Sequence, residues 1–183
     1  MDNTTKQKEV EMNATAAPTS AMAVANWFLE RSRRESSVPP CDQLKLYKLV
    51  FYAHAWFLGN GCGPLFDEDV EAWPHGPVVR DLYIQFKDAG RGPINKLGTR
   101  YAVQNGKFQL ETPVYSGDLE PFFESVWNSY KAHSGIQLSN ASHAQGEPWT
   151  LVAEKMDLAG KPTIPNELIE QVYRAKVQRS RQH

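Results

Sequence analysis

The chain has 183 residues, 41% hydrophobic and 22% charged, which suits one soluble globular domain with a real core and leaves too little for two. A formal net charge of −1 argues against a protein built to coat nucleic acid. No apolar run is long enough to span a membrane, and the best, residues 49–59, is short and contains His54.

The first 18 residues are polar and end in TAAP, the composition of a disordered tail. Lys6 and Lys8 are mixed there with Asp2, Glu9 and Glu11, which does not fit a secretory signal. TSAMAVANWFLERSRRES predicts a first helix, with Thr19 or Ser20 able to cap it and Val24, Trp27 and Phe28 on one face. VPPCDQLKLYKLVFYAHAWFLGNG is the strongest helix. Pro39 and Pro40 precede it, Asp42 can cap it, and Gly59 with Gly61 ends it. Leu46, Leu49, Val50, Ala53 and Phe57 form its stripe, with Lys45, Lys48 and Tyr52 as its polar side, and such an apolar girth predicts a central position.

Val70 and Ala72 alternate with Asp69, Glu71 and Trp73, predicting a short strand. PVVRDLYIQFKDAG predicts a helix with Pro77 in its first turn. TRYAVQNGKFQLE reads as a hairpin turning on Asn105-Gly106. DLEPFFESVWNSYKAHSG predicts a helix capped by Asp118, burying Leu119, Phe122, Phe123, Val126, Trp127 and Tyr130. Two short helices broken at 146–148 follow, then a last amphipathic helix with Glu167 and Glu170 early and Arg174, Lys176, Arg179 and Arg181 late. The sum is a mainly α (α+β) fold: a compact single domain of about six to seven helices with a small β-hairpin or short antiparallel sheet.

The chemical candidates each have a plainer explanation. GNGCG at 59–63 ends a helix and does not open one, so it is a stop and turn, not a phosphate loop. Cys41 and Cys62 form neither a C-x-x-C pair nor a zinc spacing, so no disulfide framework and no metal site is expected, and a reducing cytoplasm is the default. Pairing Cys62 with His75 or His143 as nucleophile and base lacks any local device to lower the thiol pKa. His54, within the most apolar helix, suits a hydrogen-bonded interior histidine. Asp67, Glu68, Asp69 and Glu71 alternate along the strand, so they read as a solvated edge that resists further pairing, not a metal site. Ser142 and His143 can bond backbone groups at a helix end, with Pro148 opening the next helix over Trp149.

Three segments in order resemble one family. QLKLYKLVFYAHAWFL (43–58) is similar to its central helix pattern. PLFDEDVEAWPHGPVVRDLY (64–83) is similar to its signature, an acidic strand running into Ala-Trp, Gly-Pro-Val and a helix. LSNASHAQGEPW (138–149) resembles its Leu-Ser…Thr-His…Pro-Trp ending. The family is the Panacea antitoxin domain, and the resemblance covers roughly residues 22–158. His75 stands where an aromatic is frequent, Pro74 where Lys is frequent, and Ser142 where Thr is usual.

The resemblance implies a mainly helical domain over 19–160, followed by a C-terminal amphipathic helix (161–183) packed on or extending it. It implies an antitoxin that neutralises a cognate protein toxin, encoded by an adjacent gene, by direct binding, with no enzymatic activity and no cofactor. Trp73, Leu46, Lys48, Leu49, Tyr52 and Trp149 are then its structural signature. The expected toxin contacts are His75, Gly76, Pro77, Arg80, Ser142, His143, Glu147 and Arg174. Self-association stays open; membrane and nucleic acid are not expected partners. Three rivals carry distinct expectations: an adaptor that delivers the toxin to a protease, a DNA-binding regulator, for which no helix-turn-helix module is visible, and an enzyme using His75 or His143.

Overall fold

The computed structural model describes residues 19–115 and 117–182; the tail expected over 1–18 lies outside the described residues. Helix α1 (Ala21–Arg33) starts where the Ser20 hydroxyl accepts the Ala23 N–H at 3.1 Å. Helix α2 (Gln43–Gly59) starts where Asp42 accepts the Lys45 N–H at 2.7 Å and stops at a turn in which Gly61 and Gly63 take φ of 78° and 79°. Strands β1 (Val70–Trp73) and β2 (Gly76–Val79) form an antiparallel hairpin that runs directly into α3 (Arg80–Phe86). Strands β3 (Arg100–Gln104) and β4 (Lys107–Glu111) form a second hairpin. Helices α4 (Glu120–Tyr130), α5 (Gly135–Ser142), α6 (Pro148–Ala153) and α7 (Asn166–Ser180) complete the chain.

The expected mainly helical α+β architecture is what the described residues form: seven α-helices and two small antiparallel sheets, none of the helices long and apolar enough to cross a membrane. Helix α2 is the axis, packed by α1, α3, α4, α5, α7 and β2. Its helix-period stripe explains part of this, because Leu46, Leu49, Val50 and Ala53 are each 0% exposed. Against α7 the backbones come close at Gly59, where a Cβ would lie 2.7 Å from Tyr173 Cβ. His54 is buried with its ring 4.2 Å from that of Phe66, and its Nε2–H donates to Asn166 Oδ1 at 2.9 Å, as expected of an interior histidine.

Four local expectations are corrected. Lys45, Lys48 and Tyr52 do not make a polar side of α2; all three are buried, their long stems lying in the core while their tips reach backbone carbonyls. Pro77 does not open a helix. It pairs with Ala72 in β2, an edge strand on which a residue without an N–H is tolerated, and the helix begins at Arg80. Asp118 does not cap α4, whose N-cap position is Leu119 with Pro121 in the first turn. The acidic run is not a bare edge: Glu68 accepts the Ala21 N–H at 3.0 Å at the start of α1, and β1 gains a partner in 162–164 through Ala72 N–H to Pro162 O at 2.8 Å and Ile164 N–H to Val70 O at 2.7 Å.

Candidate functional site

The β1–β2 hairpin turns on Pro74 and His75, with Trp73 opposite Gly76. Proline fixes φ at the first turn position, and Gly76, at φ of 100°, takes the left-handed conformation that brings the chain back. Both turn residues are exposed, yet the carbonyls around them are held from within. Trp149 Nε1–H donates to Trp73 O at 2.8 Å, the Ser139 hydroxyl to His75 O at 2.8 Å, and the Lys48 ammonium to Pro77 O at 2.9 Å. Three alternate carbonyls of one turn are thus gripped by side chains of α6, α5 and α2. The Ser142 hydroxyl donates one turn back along its own helix to Ser139 O at 2.7 Å, where it lies against Gly76.

Gly76 is the reason the grip closes. A Cβ there would sit 2.6 Å from Ser142 Oγ and 2.7 Å from Lys48 Nζ, both closer than real Cβ atoms approach anything. Burial pulls the Lys48 ammonium down to about 7, well below the ordinary lysine value. A lysine beside a serine is a nucleophile–base pair in some hydrolases. Here the Lys48 ammonium is turned to Pro77 O and the Ser142 hydroxyl to a carbonyl of its own helix, so neither is directed at the other. The pair holds structure. His143 packs on Trp149 with ring centroids 3.9 Å apart, and its pKa is lowered by burial first and by the charges of Lys48 and His75 next.

Trp73 itself is buried beneath a cover of polar groups. Its Nε1–H donates to Glu71 Oε2 at 2.7 Å, the Lys161 ammonium lies 3.7 Å from its ring centroid, and the Arg80 guanidinium lies 5.8 Å from it while bonding Glu71 Oε1 at 2.9 Å. Of the expected contact residues, His75, Arg80 and Arg174 are exposed, His143 and Glu147 half-buried, and Gly76, Pro77 and Ser142 buried. The structure brings His75, Gly76, Pro77, Ser142 and His143 into one corner. Glu147 faces α7 instead, accepting from Tyr173 OH at 3.3 Å and pairing with Lys176, and Arg174 pairs along its helix with Glu170.

Two residues of weight escape the sequence reading. Ser139 stands three places before Ser142 on the same helix face, a spacing too common to signal its bond to His75 O. Asn26 is 1% exposed within the apolar run AVANWFL, a polar side chain with no capping position to explain it. Its amide donates to Gly98 O at 2.9 Å and Pro113 O at 2.7 Å, and its carbonyl accepts the Gly98 N–H at 2.7 Å.

The residues that build the corner lie within residues 46–150, the span matched by the family model described as Antitoxin SocA-like, Panacea domain. The chain belongs to this family. It is 32% identical over 133 residues to Antitoxin SocA of Caulobacter vibrioides (strain NA1000 / CB15N), covering 73% of this chain and 70% of that protein. No solved structure matches. The Panacea-domain match begins at Leu46 in α2 and ends at Thr150 in α6, so it takes in Lys48, the whole β1–β2 hairpin, Ser139, Ser142 and Trp149. Asn26 and α7 fall outside it. The family is one of antitoxins, whose partner is a toxin.

Proposed function

We propose that this Panacea-domain protein is a cytoplasmic antitoxin that neutralises a cognate protein toxin, encoded by an adjacent gene, by direct binding. The observation that carries the proposal is the family match across the gripped corner, together with the kinship to Antitoxin SocA. The physical arrangement agrees with a binding role. The reactive-looking groups of the corner, Lys48, Ser139 and Ser142, are directed at backbone carbonyls and hold a stiff turn, and no enzymatic role is proposed for them. A turn fixed from behind presents His75 and Arg80 with little conformational freedom left to lose on binding. On this proposal residues 19–160 form the family core, and α7 with its exposed Arg174 extends the contact surface.

Co-expression tests it. The neighbouring gene arrests growth alone, this chain restores growth, and the two proteins co-purify. A neighbouring product that is harmless alone, or one that neither is rescued nor binds, refutes the proposal. Toxin half-life separates sequestration from delivery to a protease: sequestration leaves the toxin stable and bound, whereas delivery shortens its life in a protease-dependent way.

A further inference from the structure

The β3–β4 hairpin is amphipathic in the wrong sense for a part of a folded monomer. Its register sets Tyr101 opposite Leu110 and Val103 opposite Phe108, so these four side chains share one face. That face is bare: Tyr101 is 75%, Val103 63%, Phe108 82% and Leu110 60% exposed. On the other face Ala102 and Glu111 are partly covered, and Arg100 bonds Glu111 at 2.7 Å. With Val114, 63% exposed, beside its foot, the apolar area is on the order of 600 Å², at the upper end of what a monomer leaves in water. β3 and β4 pair with each other alone among the described residues, so both outer edges carry free backbone groups.

An isolated two-stranded hairpin is marginal in water. This one is held at its neck, where Asn26 bonds both legs at Gly98 and Pro113. The frame is therefore built, and among the described residues nothing covers its apolar face.

Charge identifies the cover. Around the hairpin Arg91, Lys96 and Lys107 are exposed and pair with no carboxylate among the described residues, while Arg100 is paired with Glu111. A second copy of this chain would set cations against cations, which disfavours a symmetric pairing. Valine and leucine interleaved with the two aromatics favour an apolar protein groove over stacked bases. We infer that the β3–β4 hairpin is the toxin-docking element of this antitoxin, its Tyr101–Val103–Phe108–Leu110 face seating in an apolar groove of a toxin whose rim is acidic. The inference rests on the antitoxin role proposed above. It places the main contact away from the gripped corner.

The test uses the full chain and the purified product of the neighbouring gene. The double variant Tyr101→Ser/Phe108→Ser weakens binding at least 100-fold and abolishes growth rescue, while its far-ultraviolet circular dichroism and thermal midpoint stay those of the wild type. Val114→Asp, outside the strands, weakens binding at least tenfold and guards against a collapsed hairpin in the double variant. Gln109→Ala, on the opposite face, leaves binding unchanged. Lys96→Glu/Lys107→Glu lowers the association rate at least tenfold at low salt, with the gap closing as salt rises.

Wild-type failure to bind or rescue sinks the antitoxin role and this inference together. Wild-type rescue with undiminished binding by the double variant and by Val114→Asp overturns the hairpin alone. An association rate indifferent to charge and salt overturns the acidic rim. Loss, in the double variant, of self-association, of binding to anionic lipid vesicles or of binding to single-stranded RNA, with toxin binding intact, assigns the face to that other occupant and overturns the inference.

Discussion

Replacing Gly76 with alanine tests the gripped turn directly. Two penalties combine. The residue sits at φ of 100°, which for an L side chain costs about 1–2 kcal/mol. The added methyl would also meet Ser142 Oγ at 2.6 Å and Lys48 Nζ at 2.7 Å, so Lys48 must withdraw from Pro77 O, a charge-assisted bond worth about 1.5–3 kcal/mol. Reduced freedom of the unfolded chain returns about 0.4–1 kcal/mol. The net loss is about 3 kcal/mol, which lowers a urea midpoint by about 1.5 M at a slope of about 2 kcal/mol/M. Gly106→Ala is the control: its φ is 73°, but a Cβ there meets nothing within 4 Å, so it carries the strain without the clash and shifts the midpoint by less than about 0.5 M. Equal shifts for the two variants would refute the close approach of Lys48 and Ser142 to the turn. A second check is coupling. Shortening the intruding side chain with Lys48→Met should reduce the cost of Gly76→Ala, and strictly additive effects would count against the same contact.

Asn26→Ala removes three hydrogen bonds and strands the Gly98 and Pro113 groups; a loss of about 3 kcal/mol by urea titration is expected, with faster proteolysis at 98–113. His54 has a folded pKa of about 4, below its ordinary 6.5, so the unfolded chain binds the extra proton first. Its contribution is whole above pH 6.5 and is lost as pH falls to about 4, on the order of 3 kcal/mol, with His143 adding a slope of the same sign; His54→Leu should flatten this window in stability measured against pH. The Cys41 thiol is buried and pushed up to about 12, whereas Cys62 is half-buried, so a thiol reagent should label Cys62 in the native protein and Cys41 only on unfolding.

Where a residue's role is set by its neighbours in sequence, it was legible. Ser20 and Asp42 cap because a short oxygen-bearing side chain precedes an apolar period, and Asn105-Gly106 turns because both residues accept positive φ, here 53° and 73°. The helical stop at Gly59–Gly63 belongs to the same class. Where the role depends on what arrives from elsewhere, it was not. Lys45 and Lys48 look like the polar side of a helix until carbonyls of Pro39, Lys131 and Pro77 are seen to stand at their tips. GPVV reads as a helix start because proline suits a first turn, and that reading is overturned by VEAW pairing back across Pro74-His75. The corner was recognisable as a unit, but the partners gripping its carbonyls, Ser139 above all, were not, because a serine on a short helix has many uses. Asn26 carried a signal in its apolar setting, while the two strand legs it joins lie 72 and 87 residues away.

The neck at Asn26 has an evolutionary consequence. One side chain on α1 fixes Gly98 and Pro113, and everything between them hangs beyond the core, apart from the ion pairing and partial cover at the foot. Residues 99–112 therefore behave as a replaceable cassette: lengthening, shortening or rewriting it leaves the α2 axis and the gripped turn with the same contacts. A scaffold with a module tied at a single knot tolerates change within the module while its folding problem stays solved.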